Sequence, residues 1–526
     1  MEITPRSSTN IWPAQNAVAW RPPAAALSPL HLLLLLSFAL GAVLWGETFI
    51  LGGQELQIQR YLALLGFYGA SSAVFVASRI RRAKLQLFEI PVFITVMFFF
   101  QFGLIPLRNF IDPTQLDEHL SANGEELVQA LAYVIFGMAA FWLGSELLRR
   151  KAIDRISPTS HPQSTVLEPQ KPSVLLAFGG LYAIGFVTKV YLLKNHLFSY
   201  TTSVDKYYGN LASMQVLNYV SQFGTLALIV ATIERYRRRR DTLWKFIFII
   251  ALISEVFWGL ISGMKGLVLQ NFLVVALVSS YVMRKLNLKW FVILFFGLVL
   301  IYPFVNAYRS ALNSGGVEVT SFARAADAGQ MAFNTVGERG STAGDLWREG
   351  LDRTLERLDL LTSVAQVLSL GPRASMVKGD VHWWMLPFYP FVPRFLWHSK
   401  PILQEGGWFT AALMGGSENL ENVGSSTAIT YPGDLYLQFG LLGIPAGMFV
   451  LGVVTQWFTN LVSRSVKPQD LFLYTAIFLL GFHYELDGFD LWATLLKLLA
   501  ILYVVRWVIY GPSKHIFRVC HSAHRD

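Results

Sequence analysis

Five cationic side chains between residues 309 and 400 are the groups of this 526-residue chain best suited to chemistry. They stand beside apolar segments, and they are Arg309, Arg353, Arg357, Arg394 and Lys400. The planar guanidinium group of arginine can donate two charge-assisted hydrogen bonds to one phosphate. The pattern therefore predicts binding of a phosphate-bearing lipid headgroup.

A structural alternative exists for two of these cations. Arg353 and Arg357 stand four residues apart on a predicted helix, among acids that could pair with them. Those acids are Glu349, Asp352, Glu356 and Asp359. Both interpretations of the pair stay open. Arg394 differs, because it follows Pro393 and no acid lies within ten residues of it on either side. We therefore expect Arg394 to bind phosphate.

Several imidazole and carboxylate groups could accept the proton of an attacking hydroxyl group. The candidates are Asp359, Asp380, His382, His398, Glu405, Asp434, His483, Glu485 and Asp487. For each of them singly, an ordinary hydrogen-bonding role is the alternative. No two of them stand at a spacing that predicts a metal site, so we expect no metal and no other cofactor.

The composition places these residues in a membrane protein. Apolar residues make up 53% of the chain and charged residues 15%, with a mean hydropathy of +0.44. Soluble domains carry about 25% charged residues, so the composition argues against a soluble enzyme. The 39 Phe, 20 Tyr and 15 Trp residues exclude a disordered chain. The single cysteine, Cys520, excludes an intramolecular disulfide.

Twelve apolar runs are candidates for transmembrane helices, since a bilayer core takes about 20 residues per helix. They lie near residues 29–45, 61–79, 88–106, 127–148, 174–193, 214–233, 244–263, 267–283, 290–308, 434–462, 471–485 and 490–510. The run 471–485 is the weakest, because it is short. The predicted fold class is an all-α polytopic membrane protein with about 12 transmembrane helices.

Lysine and arginine collect in alternate loops, and this sets the orientation of the spans. The basic loops begin at Arg79, Arg149, Arg235, Arg284 and Arg464, and the C-terminal tail is basic as well. The loops between them are acidic or neutral. Both termini are then cytoplasmic. The net charge of +9 follows from this topology, so nucleic-acid binding is not needed to explain it.

The predicted organisation has five parts. A cytoplasmic tail (1–28) precedes nine transmembrane helices (29–308), and a large periplasmic loop (309–433) leads to three further helices (434–510) and a cytoplasmic tail (511–526). Within the loop, apolar residues at spacings of three, four or seven predict an amphipathic helix over 345–370. The proline-rich and aromatic run 383–401 predicts a segment at the membrane interface.

Three charged residues fall within or near the ends of predicted spans, where a charge is costly unless it is paired or faces a cavity. Lys265 stands near an outer end and can reach the interface. Lys189 and Glu255 are the other two. Glu255 either lines a polar interior or makes a structural hydrogen bond between helices.

The motifs between residues 308 and 452 resemble those of a known family. Residues 393–401 form the pattern Pro-Arg-x-x-Trp-x-x-Lys-Pro, and Thr-Ala-Ile-Thr-Tyr-Pro-Gly-Asp follows at 427–434. With Tyr308-Arg309, Arg357-Leu358-Asp359 and Phe439-Gly440, these strings resemble the Wzy-like O-antigen and exopolysaccharide repeat-unit polymerases. His398 departs from the pattern, since a proline or another small residue is expected there.

The resemblance implies a membrane glycosyltransferase of the GT-C type in the bacterial inner membrane. Such enzymes join oligosaccharide units carried on undecaprenyl diphosphate at the periplasmic side, without a metal. The resemblance assigns catalysis to Arg309, Arg357, Asp359, Arg394 and His398, and binding of the diphosphate or glycan to Arg353, Trp397, Lys400 and Asp434. The implied partners are the lipid-linked oligosaccharide, the lipid bilayer, a chain-length regulator and a flippase.

Two alternatives stay open. An O-antigen-ligase-like enzyme would use the same cations to move a glycan to a lipid core or a protein, because only the acceptor differs. A flippase or transporter for lipid-linked glycans belongs to another class and would be expected to show two similar halves. The chain instead concentrates its outer charge in one loop, which favours the polymerase.

Overall fold

The computed structural model describes most of the chain. The described residues are 55–80, 88–111, 124–153, 172–195, 197–198, 211–283, 286–287, 289–290, 292–293, 304–305, 307–309, 311, 322–338, 355, 357–370, 377, 382–392, 396–397, 399–401, 405–413, 427–464, 467–482, 485 and 487–511. Helices and connecting segments make up all of them, and no strand occurs among them. The all-α fold class is therefore confirmed for these residues.

Sixteen α-helices follow one another along the described residues. They are α1 (Glu55–Ile80), α2 (Ile90–Phe98), α3 (Arg108–Ile111), α4 (Gly124–Ile153), α5 (Pro172–Lys194), α6 (Leu211–Ser221), α7 (Phe223–Arg237), α8 (Thr242–Ile261), α9 (Lys265–Met283), α10 (Phe322–Glu338), α11 (Leu360–Ser369), α12 (Glu405–Leu413), α13 (Tyr431–Phe439), α14 (Gly443–Arg464), α15 (Pro468–Leu480) and α16 (Gly488–Tyr510). A π-helix (Phe99–Leu104) and a 3-10 turn (Ile105–Leu107) join α2 to α3.

Nine helical stretches among the described residues are long and apolar enough to cross a membrane. They coincide with nine of the twelve predicted runs, so the chain is a multi-pass membrane protein. The predicted run 471–485 corresponds to α15, which is a shorter apolar helix of 13 residues. The first run and most of the ninth lie outside the described residues, and a total of twelve spans stays a prediction.

The predicted span 434–462 is wrong in its extent. The chain forms α13, breaks at Gly440 and begins α14 at Gly443. Gly440 has a φ of 68°, a left-handed conformation that glycine adopts without a steric penalty. Its N–H donates to the carbonyl oxygen of Tyr436 at 2.8 Å and so ends α13. Asp434 therefore belongs to a short separate helix and not to a membrane span.

The amphipathic helix predicted over 345–370 is not continuous. Asp359 is not helical and caps α11, because its side chain accepts a hydrogen bond from the N–H of Thr362 at 3.1 Å. Residues 345–354 lie outside the described part of the chain. Arg357 therefore precedes the cap and does not share one helix face with α11.

The close contact between α4 and α14 positions the α13–α14 hairpin, which contains Asp434. Gly144 of α4 faces the carbonyl oxygen of Phe449, and Gly452 of α14 faces the carbonyl oxygen of Phe141, so neither position leaves room for a side chain. Small residues allow such close packing of membrane helices. Since α11 also packs on α4, one central helix holds both α11 and the α13–α14 hairpin.

Arg79 is a buried core residue, and its prediction as a loop charge is wrong. Its guanidinium group donates to Glu89 at 2.7 Å, to Ser145 at 3.0 Å and to Gln456. It also pairs with Glu146 at 2.9 Å. The side chain is 0% exposed, because α1, α4 and α14 and the residue before α2 all surround it. We call the end of the bundle that contains this network the basic end.

The helices α9, α14 and α16 begin at the end of the bundle opposite to the basic end. We call this opposite end the site end. Tyr281, near the C-terminus of α9, contacts the ring of Tyr474, whose hydroxyl donates to the carbonyl oxygen of Phe88 beside the Arg79 network. Arg506, near the C-terminus of α16, pairs with Asp470 of α15 at 3.3 Å. The helices α9, α14 and α16 therefore end at the basic end and begin at the site end.

Candidate functional site

Arg309 lies against the turn between α8 and α9 at the site end. Its Nε donates to the carbonyl oxygen of Gly263 at 2.6 Å, and the hydroxyl of Tyr308 donates to the carbonyl oxygen of Ile261 at 3.2 Å. Gly263 has a φ of 66°, a conformation that favours glycine in such a turn. The Tyr-Arg motif is therefore fixed beside the first residue of α9.

That first residue, Lys265, forms a group of three cations with Arg309 and Arg357, which we call the cation group. Arg309 is held there by its hydrogen bond to the carbonyl oxygen of Gly263, two residues before Lys265, and the charges of Arg309 and Arg357 both act on the Lys265 ammonium. Arg357 is exposed, whereas Arg309 is half-buried. Like charges held near one another create a local positive potential, and such a potential attracts anions. The arrangement suits a ligand with several negative charges, such as a diphosphate.

Asp359 anchors the chain two residues after Arg357. Its Oδ2 accepts hydrogen bonds from Asn109 Nδ2 at 2.7 Å and from the hydroxyl of Thr362 at 2.8 Å. Burial raises the pKa of Asp359 above its usual value, and the hydrogen bonds from Thr362 and Asn109 oppose part of that rise. The carboxylate thus ties the start of α11 to α3.

Lys400 is buried against the segment that precedes it. Its Nζ donates to the carbonyl oxygens of Tyr389 at 2.7 Å and Val392 at 2.8 Å, and it lies 4.2 Å from the centre of the Tyr389 ring. The hydroxyl of Tyr389 in turn donates to the carbonyl oxygen of Pro401 at 2.9 Å. Lys400 therefore joins the two ends of the segment that contains the Pro-Arg-x-x-Trp-x-x-Lys-Pro motif.

Trp397 belongs to the same closed segment. Its ring packs edge to face on Tyr389 with centroids 6.2 Å apart, and Tyr389 packs in the same way on Phe489 of α16 at 5.2 Å. Trp397 and Lys400 thus have structural contacts at the site end. Five of the candidates lie outside the described residues: Arg353, Asp380, Arg394, His398 and His483.

Asp434 forms a group of three carboxylates with Asp487 and Asp490, which we call the carboxylate group. Its Oδ2 accepts from the N–H of Gly488 at 2.8 Å, and Asp487 caps α16 by accepting from the N–H of Asp490 at 2.6 Å. Burial, and then the charges of Asp490 and Asp434, raise the pKa of Asp487 well above its usual value. This negative group is poorly suited to a diphosphate but can accept hydrogen bonds from hydroxyl groups.

Two aromatic side chains approach the carboxylate group at Gly488. A methyl group on Gly488 would lie 2.9 Å from Asp434 Oδ2, 3.0 Å from Trp383 Cζ2 and 3.2 Å from Tyr431 Cε2, so glycine is needed there. Trp383 also packs edge to face on Phe439 at 5.3 Å. Its indole N–H is buried and has no hydrogen-bond partner among the described residues.

An apolar groove opens beside these rings, between α13, α14 and α16. Its volume is about 410 Å³, and its walls include Trp383, Tyr431, Phe439, Leu442, Ala446 and Trp492. The hydroxyl of Tyr431 donates to the carbonyl oxygen of Gly447 at 3.0 Å and accepts from Trp492 Nε1 at 3.3 Å. These bonds use the polar atoms of both rings, so the two rings present mainly apolar surface to the groove.

The two deeper intramembrane charges pair with each other. Lys189 Nζ lies 2.7 Å from both carboxylate oxygens of Glu255, and the hydroxyl of Thr225 donates to Glu255 Oε2 at 3.3 Å. Gly224 faces the pair and leaves no room for a side chain. The structural alternative for Glu255 is therefore the one observed, and this pair links α5, α7 and α8.

Sequence reasoning missed three residues of the site. Lys265 was expected only to reach the interface, whereas it belongs to the cation group. Asn109 carried no signal, because a single amide at the end of an apolar run is common. Trp383 was part of the aromatic run, but its approach to Asp434 depends on Gly488, which is 105 residues further along the chain.

No metal-ligand cluster accompanies these groups within the described ranges. There, no set of three or more His, Cys, Asp or Glu side chains is arranged to hold a metal ion. The described site residues thus form a group of cations and a group of carboxylates, both at the site end.

Comparison with known families gives one match. A family model described as a domain of unknown function, DUF8712, matches residues 182–466, which is more than half of the chain. The chain therefore belongs to this family. The match includes Lys265, Arg309, Arg357, Lys400 and Asp434 and ends before α15 and α16. No curated protein and no solved structure matches the chain.

Proposed function

We propose that this member of the DUF8712 family is a membrane glycosyltransferase that polymerises oligosaccharide repeat units into O-antigen or exopolysaccharide. Its donor and acceptor would be repeat units carried on undecaprenyl diphosphate. The observation that carries the proposal is the cation group of Lys265, Arg309 and Arg357. Two of its three members, Arg309 and Arg357, are residues to which the family resemblance had already assigned catalysis.

The proposed location follows from the two ends of the bundle. Basic residues mark the cytoplasmic side of membrane proteins. The basic end contains Arg149, Arg237 and Arg238 together with the exposed Arg239 and Arg240, and the cation group lies at the other end. We therefore assign the site end to the periplasmic face of the bacterial inner membrane, with both termini in the cytoplasm.

The proposed reaction is a glycosyl transfer from a lipid diphosphate. A hydroxyl oxygen of the acceptor sugar attacks the anomeric carbon of the donor chain, and a new glycosidic bond forms. The bond between that carbon and the diphosphate oxygen breaks, and its electron pair stays on the diphosphate, which leaves with its lipid. The hydroxyl proton passes to a base. Fixed cations near the leaving oxygen stabilise the charge that develops there.

The residues take different parts in this proposal. Arg309, Arg357 and Lys265 hold the diphosphate, and Arg394 and Arg353 complete that set. Asp359 positions Arg357 through its hydrogen bonds with Asn109 and Thr362. Lys400 and Trp397 hold the segment that contains Arg394, while Asp434 binds glycan hydroxyl groups. His398 is the candidate base.

Glycan profiling of a deletion strain tests the class of reaction. Loss of long chains, with a single repeat unit retained on its acceptor, is the expected result. Loss of even the single unit would instead indicate a ligase-like or flippase activity and would overturn the proposal. Complementation with the intact gene is the control.

Site variants then test the cation group. Removing one charge-assisted hydrogen bond from the transition state costs about ten- to a hundredfold in rate. We expect Arg357→Ala, Arg394→Ala and Lys265→Met each to lower the rate of polymerisation about ten- to a hundredfold, while each variant still inserts into the membrane. Arg239→Ala is the matched control, because Arg239 is exposed at the basic end. Full activity of the Arg357 and Arg394 variants would show that these arginines do not hold the diphosphate.

Cysteine labelling tests the orientation. The variant carries Ser417→Cys and Cys520→Ser, so that position 417 holds its single thiol. We expect a membrane-impermeant maleimide to label it from the periplasm. Labelling only after the inner membrane is permeabilised would reverse the orientation and with it the periplasmic site.

A further inference from the structure

The apolar groove between α13, α14 and α16 has no occupant assigned by the proposed function. Its volume of about 410 Å³ falls within the range of small-molecule sites, roughly 300–1,000 Å³. Its α14 wall runs from Gly443 to Val450, which is about 10 Å along a helix. That wall belongs to a helix that is long and apolar enough to cross a membrane, so lipid chains can reach the groove. A hydrocarbon chain is the chemistry that fits it.

One end of the groove carries polar groups that could bind a headgroup, from Trp383 and Asp434. The Trp383 indole N–H is a buried donor without a partner among the described residues, and a buried donor favours an acceptor atom. The Asp434 carboxylate lies close by, since both it and the Trp383 ring approach Gly488. A sugar hydroxyl can accept from the indole and donate to a carboxylate at the same time.

The charges around this end disfavour a phosphate. Asp434 and Asp487 both bind backbone N–H groups at the start of α16, and the charges of Asp434 and Asp490 both act on Asp487. Lys400 lies over the ring of Tyr389, which packs on Phe489 of α16, and its ammonium donates to the carbonyl oxygens of Tyr389 and Val392. A phosphate at the mouth of the groove would therefore meet net negative charge.

We propose that the groove binds the hydrocarbon chain of a glycosylated lipid whose uncharged sugar headgroup lies at Trp383 and Asp434. This is a second lipid site, distinct from the diphosphate site at the cation group. The inference goes beyond the proposed function, and binding at the groove can be measured without any glycosyl transfer. The choice of a sugar headgroup rests on hydrogen bonding with Trp383 and Asp434 and on the carboxylate group, which disfavours a phosphate. The choice of a lipid rests on the apolar walls of the groove and on the membrane-crossing length of α14.

Two photoreactive probes with the same chain and different headgroups test the proposal. The full chain is reconstituted in nanodiscs with a diazirine-bearing dodecyl maltoside or a diazirine-bearing dodecyl phosphate, and labelled peptides are mapped by mass spectrometry. We expect the maltoside probe to label 442–450 about tenfold more than the phosphate probe does. The exposed face of α8 around Ile253 is the internal control for nonspecific lipid contact, and it should show no preference.

Two variants connect the labelling to the groove. Ala446→Trp fills the groove from an exposed position and should abolish the excess labelling. Gly179→Trp is its matched control, because nothing lies within 4 Å of Gly179 on α5. Asp434→Asn keeps an oxygen that can accept from the Gly488 N–H but removes the charge, so the preference for maltoside over phosphate should shrink.

The outcomes separate this proposal from the polymerase. Equal labelling by the two probes, stronger labelling by the phosphate probe, or labelling unchanged in Ala446→Trp would each overturn the second lipid site. A deletion strain with normal long chains would overturn the polymerase, whereas a maltoside preference that disappears in Ala446→Trp would still establish the groove as a glycolipid site.

Discussion

Asn109 Nδ2 donates a 2.7 Å hydrogen bond to Oδ2 of Asp359, although 250 residues separate the two in the chain. A second bond of 3.1 Å joins the same amide to the hydroxyl of Thr362. The end of α3 therefore fixes the start of α11. Arg357 stands two residues before Asp359, so its position in the cation group depends on an amide from the first part of the chain.

The variant Asn109→Leu should destabilise the protein and impair polymerisation together. Loss of a hydrogen bond to a buried carboxylate costs about 1.5–3 kcal/mol, and it also frees the segment that holds Arg357. Thermal unfolding of the purified protein and glycan profiling measure the two effects. Asn195→Leu is the control, because Asn195 is exposed and its side-chain amide donates to the carbonyl oxygen of Tyr191, in the last turn of α5. Normal stability of Asn109→Leu would contradict the anchoring role.

The variant Asp487→Asn should stabilise the protein increasingly as the pH rises. The folded-state pKa of Asp487 is raised above the usual value of 3.8, so folding favours its neutral form. Its contribution to stability is then fully present below the unfolded pKa and is lost as the pH rises through the folded pKa. The amide oxygen of asparagine can still accept from the N–H of Asp490, but it carries no charge.

Unfolding temperatures at about pH 4 and about pH 8 test this prediction. The gain over the original protein should be larger at the higher pH. Asp241→Asn is the matched control, because Asp241 also caps a helix by accepting from the N–H of Leu243, at 2.9 Å. A gain for Asp487→Asn that is the same at both pH values would show that charge is not its cause.

Breaking the Lys189–Glu255 pair from one side should be more harmful than removing both charges. A buried charge left without its partner costs about 3–5 kcal/mol, whereas replacing both partners can be nearly neutral. We expect Lys189→Met to lower the yield of folded protein, and the double variant with Glu255→Gln to recover much of it. A double-mutant cycle of thermal stabilities measures the coupling. Additive effects would mean that the pair is not coupled in the membrane.

The variant Lys400→Met should impair polymerisation by releasing the segment it closes. Its ammonium contacts two carbonyl oxygens and the Tyr389 ring, so its first effect is on the loop that contains Arg394. Limited proteolysis should show faster cleavage between Val392 and Pro401, with Lys467→Met as the exposed control. Loss of lipid-linked donor binding without any change in proteolysis would instead make Lys400 a direct ligand.

Hydropathy predicted the membrane helices well but not where they break. The apolar run after Asp434 continues through Gly440, and an average over a window of residues takes no account of a φ of 68° at one glycine. The helix cap at Asp359 could not be predicted either, because leucines recur with helical spacing on both sides of this residue. A break of this kind depends on one backbone angle or one side-chain hydrogen bond.

The residue types of the candidate site can be chosen from the sequence, whereas the tertiary contacts that bring those residues together cannot. Arg309 and Arg357 were chosen for their guanidinium groups, and both lie in the cation group. Their approach to Lys265 depends on the contact of Arg309 with Gly263, which no local pattern encodes. Arg79 shows the converse error, since a charge at the end of an apolar run looks the same whether it lies in a loop or in the core.

The Arg79 network also has a consequence for the order in which the protein is made. Glu89 and Glu146 emerge from the ribosome soon after Arg79, so this charge can be neutralised while the first helices insert. Gln456, 377 residues later, completes the network only when α14 arrives. The N-terminal helices therefore enter the membrane before the last acceptor of Arg79 is made, and α14 brings that acceptor when it packs on α4.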